Sequence, residues 1–368
     1  NPYVGKLSAE SVRLSQCVLD SYCEQTGLTN DGVIYADDMT GINFSEIPVT
    51  ILEMGYMSNE GDDLYMTSEE NETAMVQGIA DGIDLYFSET LRSTSKTTED
   101  TADRMDCSSL EEELEMLWLN DLTASGEHWA VEAMDLNTAS CMEINSGDSM
   151  QSASVIKLFI MGAVYERAVY AAECGKELIP MQETYDGELK DLLTAMITVS
   201  DNTAANELVS RLGQGDFDTG AAVVNEFCKD HGYAATHLGR RFLAENPSDD
   251  NYTSVADCTS FLSGLYNGTL LNVEASGKML ELLEGQTVKG KIPAGLPNGV
   301  ETANKTGEMP SGYGLGSIEN DVAIVMNGRY PYILCVLSND IADNGSAQSV
   351  IRGISERTYL FFSDVVRS

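Results

Sequence analysis

Histidine is almost missing from this chain. There are three among 368 residues, His128, His231 and His237, and none before His128. No His/Cys cluster has zinc-ligand spacing, and any nucleophile must find a base other than imidazole. Basic residues are also few. The 21 Lys and Arg face 59 Asp and Glu, for a net charge of −38 and a pI near 4.1. That balance argues against nucleic acid and anionic membrane surfaces as partners and fits a solvated surface. No stretch approaches the roughly 20 apolar residues of a membrane span. The eight cysteines (Cys17, Cys23, Cys107, Cys141, Cys174, Cys228, Cys258, Cys335) include no C-x-x-C pair. Their even number would suit disulfides outside the cytoplasm, while Cys335, inside an apolar run, would equally suit a buried thiol. The chain opens at Asn1 with neither methionine nor signal peptide, so an excised piece of a longer exported polypeptide is expected.

The 43% apolar content supports globular cores, and the length suffices for two or three domains. Residues 1–90 read as alternating helix and strand. Leu14, Cys17, Val18, Ser21 and Tyr22 recur at helical spacing, with Gly27 as a stop signal. Residues 47–54 form an apolar run expected to be a strand. Thr67 with Glu70 resembles a capping box before a helix whose expected buried stripe is Met75, Val76, Ile79, Ile83 and Phe87. Residues 91–107, rich in Ser, Thr and Asp, read as a linker.

A second domain is expected over 108–368. It starts with a helix at 110–119 and strands at 128–136 and 141–144. It ends with strands at 322–326 and 332–337 around Asn327-Gly328, then a helix turning Val350, Ile351, Ile354 and Phe361 inward. Strands at both ends with helices between predict an antiparallel sheet built from both termini, flanked by helices, with a helical subdomain inserted. The fold class expected is thus α/β followed by α+β, in two domains.

Three short motifs occur in order: Ser154-Val155-Ile156-Lys157, Ser200-Asp201-Asn202 and Lys305-Thr306-Gly307. A second S-x-x-K, Ser93-Thr94-Ser95-Lys96, lies in the expected linker, so one motif alone means little. Spacing of i to i+3 on a helix puts Lys157 within reach of the Ser154 hydroxyl. Serine is a poor nucleophile until a base takes its proton. A lysine can do so if desolvation and a neighbouring positive charge weaken its hold on protons. The N–H of Ser154, at a helix start, would point where an oxyanion develops. The alternative, a plain cap and a solvated lysine, explains Lys157 on an otherwise apolar turn poorly.

Ser200-Asp201-Asn202 sits between two helical patterns and would also serve as an ordinary cap. Beside Ser154 it gains roles: Ser200 relays a proton to the leaving group, Asn202 bonds a substrate amide, and Asp201 is structural. Lys305-Thr306-Gly307 is placed on a strand able to line a cleft. Lys305 would supply the charge that depresses Lys157 and, with Thr306, hold a substrate carboxylate. Gly307 would let substrate approach, and the N–H of Glu308 would be a second oxyanion donor.

From about residue 108 on, these motifs and their setting resemble the penicillin-recognising serine hydrolases, in the class A β-lactamase and D-alanyl-D-alanine peptidase-like penicillin-binding branch. Class A enzymes carry a deacylating glutamate two residues beyond an arginine. Here Arg240 places Phe242 at that position and Arg241 places Leu243, with Glu245 the nearby carboxylate. Without that base a β-lactam should acylate Ser154 and linger, since losing general-base help costs ~10²–10⁴ in rate. The resemblance implies a serine hydrolase or acyltransferase acting on peptidoglycan stem peptides. The alternatives are β-lactam hydrolysis and a catalytically silent wall-binding module.

Residues 51–59 (ILEMGYMSN) with Asp62-Asp63 resemble the closing third of zinc-dependent N-acetylmuramoyl-L-alanine amidases. In that family the glutamate at the place of Glu53 is the catalytic acid/base. The family's zinc ligands come from an earlier half, and no histidine precedes His128 here. Residues 1–90 are therefore expected to be an amidase-like remnant, with no metal and no cofactor in this chain. The pairing implies peptidoglycan or a β-lactam as substrate and an extracytoplasmic, secreted or wall-associated place.

Overall fold

The computed structural model describes residues 8–34, 48–96, 106–179, 185–244, 249–310, 317–328 and 330–364. The chain divides into two compact units, Asn1–Asp103 and Arg104–Ser368.

In the first unit the helix Ser8–Thr26 packs along the helix Glu69–Lys96. Cys17, Val18 and Tyr22 are buried as their spacing predicts, and Gly27 takes a positive φ of 70° just past the end. The partner helix keeps Met75 of the expected stripe buried and Ile79 half-buried, but turns the rest of that stripe outward. Met75 and Tyr86 face inward, while Val76, Ile83 and Phe87 are exposed. Gly82 explains the rotation. A Cβ there would sit 2.5 Å from Val18 Cα, so the backbones touch and the glycine face wins the interface. Thr67 does not cap forward; its Oγ1 donates to Asp63 O at 2.7 Å, closing the short helix Glu60–Met66 that Asn59 opens.

The apolar run expected as a strand is irregular backbone over 48–56, and Ile47 lies outside the described residues. No strand occurs among the described residues of this unit to pair with it, and a strand's backbone groups need partners. The helix Glu69–Lys96 also extends six residues into the segment read as linker (91 to 96).

The second unit is built on five antiparallel strands in the order β2-β1-β7-β6-β5. They are β1 (His128–Asp135), β2 (Cys141–Ile144), β5 (Glu301–Met309), β6 (Ile318–Met326) and β7 (Tyr332–Asn339), with β3 (Met150–Gln151) and β4 (Tyr252–Thr253) forming a separate pair. The sheet thus draws on both sides of a helical middle. Both its faces are covered. Val322 and Ile324 of β6 join the core under the helix Lys157–Val164; Ala323 and Val325 join the core under the helix Asn344–Asp364. The alternation is the two-residue period of a strand. On the closing helix Ile351 and Ile354 are buried as expected, but Phe362 rather than Phe361 fills the core, stacking on Tyr332. Cys335 is a fully buried thiol on β7, with Thr259 Oγ1 at 3.4 Å.

Candidate active site

The first motif follows β3. Ala153 takes φ 44°, a left-handed conformation costly for a residue with a Cβ, and opens a single 3-10 turn, Ala153–Ile156, that runs into the helix Lys157–Val164. Asn320 of β6 holds the entry: its Nδ2 donates to Gln151 O at 3.0 Å and Ser152 O at 3.2 Å. Every residue of that helix is buried, Lys157 included.

Lys157 Nζ lies 3.0 Å from Ser154 Oγ, 2.7 Å from Ser200 O, 2.7 Å from Asn202 Oδ1 and 3.3 Å from Ser200 Oγ. A neutral amine suits this arrangement: two N–H groups go to the two carbonyl oxygens, leaving the lone pair for the Ser154 hydroxyl. Burial pushes the Lys157 pKa down to about 7, against weaker upward pulls from Asp201 and Glu308. Ser200 itself is held at φ 59°, the strained conformation that aims its carbonyl at Nζ. Asp201 caps the helix Asn202–Leu212, accepting from Ala204 N at 2.6 Å, which is the structural place expected for it.

Lys305, Thr306, Gly307 and Glu308 lie on β5, the edge of the sheet, against the turn that carries Ser154. A Cβ on Gly307 would be 2.7 Å from Ser152 O and 3.0 Å from Ser154 N, so only glycine lets the strand lie this close. Lys305 Nζ donates to Ser200 Oγ at 2.9 Å and Thr306 O at 2.8 Å. The two lysines meet at Ser200, but not with the division of labour expected. Burial leads in lowering Lys157, while the repulsion between the two amines appears on Lys305, whose pKa is well below the ordinary lysine value through burial first and Lys157 second. Burial and their mutual repulsion thus both act against a second charge on this pair.

Beneath β5 a buried lysine that the sequence did not single out, Lys291, donates to Gly307 O at 3.2 Å and Asn320 O at 3.0 Å. It pairs with Glu319 at 2.6 Å and Glu308 at 3.0 Å. Lys291 therefore ties the third motif to the residue that holds the entry to the first.

Of the two residues that the arginine alignments offer in place of the class A glutamate, Phe242 is the one whose ring packs on Lys157. Its ring centroid is 4.6 Å from Lys157 Nζ. Asn206, one turn beyond Asn202, clamps its backbone: Phe242 N donates to Oδ1 at 3.0 Å and Nδ2 donates to Phe242 O at 3.2 Å. Leu243 is exposed, and Glu245 lies outside the described residues. The three histidines are each bonded to a carboxylate, His128 to Asp148 at 3.0 Å. His231 bonds the buried Glu166 at 2.8 Å, and His237 bonds Asp249 at 2.8 Å.

Glu53 is exposed, beside Met54, whose carbonyl accepts from Tyr22 Oη at 2.9 Å. The first unit does not fit a catalytic zinc: it has no histidine, and its described residues hold no group of three metal-binding side chains. In the second unit Glu132, Cys141 and Glu143 do form one. No helix among the described residues is long and apolar enough to cross a membrane.

Residues 109–362 match the beta-lactamase enzyme family, and residues 3–85 match the N-acetylmuramoyl-L-alanine amidase family. Beta-lactamase 3 of Bacillus cereus is 28% identical over 228 residues, covering 57% of this chain and 68% of that protein. The structure of PBP-A aligns with a TM-score of 0.58 at 20% identity, covering 71% of this chain and 98% of that one. A PBP-A mutant solved as an acyl-enzyme complex with penicillin G aligns at 0.57 and 20%, covering 70% and 97%.

Proposed function

This chain belongs to the beta-lactamase enzyme family, and from that premise we propose that its serine hydrolase site forms long-lived acyl-enzymes and acts on peptidoglycan stem peptides. One observation carries the reading: the aromatic ring of Phe242 is held 4.6 Å from Lys157 Nζ, in the stretch where the family resemblance leads one to expect the deacylating glutamate. In the reaction Ser154 Oγ attacks the acyl carbonyl carbon while its proton passes to Lys157 Nζ. The tetrahedral oxyanion is met by the N–H groups of Ser154 and Glu308. As the intermediate collapses, the leaving amine takes its proton through Ser200 Oγ, which is 3.3 Å from Lys157 Nζ and 2.9 Å from Lys305 Nζ. Asn202 orients the substrate amide, and Lys305 with Thr306 holds its carboxylate. The ester on Ser154 is then released to water or to an acceptor amine.

The amidase match beside this unit supports the wall as substrate and an extracytoplasmic, secreted or wall-associated setting. The Bacillus cereus relative, named a β-lactamase, favours a second reading in which β-lactams are turned over. Incubating the chain with a peptide ending in D-alanyl-D-alanine separates the two. Free D-alanine should appear with the native chain and vanish with Ser154→Ala. Rapid nitrocefin hydrolysis with no D-alanine would favour the β-lactamase, and failure of Ser154 to label with any acylating probe would leave a silent wall-binding module.

A further inference from the structure

At the sheet edge opposite β5, Glu132 on β1 stands directly across from Glu143 on β2. Like charges in that position repel. Glu132 is only 4% exposed, and its Oε2 has no hydrogen-bond partner in the fold. Thr259 hydrogen-bonds the Glu132 carboxyl, but with Oε2 unpartnered and Glu143 opposite, a buried carboxylate remains costly, so this site calls for a cation, either a proton or a metal. A third donor is at hand. Cys141 pairs with Met134, two residues along each strand, and so projects from the same face as the two glutamates. One ligand atom from each of Glu132, Cys141 and Glu143 lies within 4.8 Å of the others.

We propose that these three side chains form a binding site for one divalent cation of the zinc class. The donor set decides the class. Calcium and magnesium take oxygen ligands, whereas a thiolate with carboxylates suits a borderline-soft ion. Three protein ligands leave a fourth tetrahedral position for water. Glu132 also lines a cavity of 400 Å³ with Ser260 and Ser263, which gives the ion a way in. The bound ion crosses from β1 to β2, a four-residue edge strand, and staples that edge to the sheet. Its ligands lie across the width of the sheet from Lys305, so binding and Ser154 acylation are separately measurable.

The test uses the full chain, freed of metal with a chelator and dialysed against Zn²⁺ alone. Elemental analysis should find one zinc per chain. Cys141→Ser and Glu143→Gln should each weaken binding by more than the ~10–100-fold that loss of an outer-shell partner brings. Both positions are at least partly accessible, and circular dichroism checks that the variants fold. With Cd²⁺, a thiolate-to-metal absorption band should appear in the native chain and be absent in Cys141→Ser. Glu53→Ala should keep the metal and the native labelling of Ser154. No bound metal would mean that Glu132 simply holds a proton, and the proposal falls. It falls equally if zinc survives both ligand variants or leaves with Glu53→Ala.

Discussion

Replacing Lys157 with methionine should slow acylation of Ser154 by penicillin by ~10²–10⁴-fold, the usual worth of a general base. Methionine matches the length of the buried Lys157 side chain and removes only its amine, and circular dichroism checks that the variant folds. The native rate should carry a pH signature that the variant lacks. Burial lowers the Lys157 pKa to about 7, and only the unprotonated amine can accept the Ser154 proton. Acylation should therefore be near its plateau above pH 7 and fall about tenfold for each unit below it. The measurement is the rate of fluorescent penicillin labelling between pH 5 and 9. A native profile that stays flat through pH 7, or equal rates in the two proteins, would rule out Lys157 as the base.

Phe242→Glu should act on the other half of the cycle. Asn206 holds the backbone of residue 242 at both its N–H and its carbonyl, so a new carboxylate would enter the space the ring now fills beside Lys157. A base placed there should speed hydrolysis of the penicilloyl ester by ~10²–10⁴-fold and bring measurable nitrocefin turnover. The negative charge should also favour protonated Lys157 and move the acylation profile to higher pH. An adduct lifetime unchanged in a folded Phe242→Glu protein would show that a missing carboxylate is not what limits deacylation.

The three motifs were legible because each is local: a nucleophile and its base one helical turn apart, a cap between two helices, and a strand end. The sheet was legible for a similar reason, since 322–326 and 332–337 carry unbroken apolar runs that only a strand covered on both faces would bury. What the sequence hid depends on close approach. The helix Glu69–Lys96 was assigned its large apolar residues as core, but Gly82 permits backbone contact and turns Val76 and Phe87 outward. The left-handed backbone of Ser200, which aims a carbonyl at Lys157, has no signature in its residue type. Phe242 could be aligned to the glutamate position, but its seat over Lys157 depends on Asn206, which lies far from it in the chain. Lys291 was missed because a lysine in a loop reads as solvated, and here it is buried under two strands.

The most direct measurement is the lifetime of the penicillin adduct, followed by intact mass spectrometry after mixing the chain with one equivalent of benzylpenicillin. A single adduct should form on Ser154, stay in place after free drug is removed, and be missing in Ser154→Ala. Full recovery of the unmodified mass within the mixing time, with the drug already hydrolysed, would contradict the account.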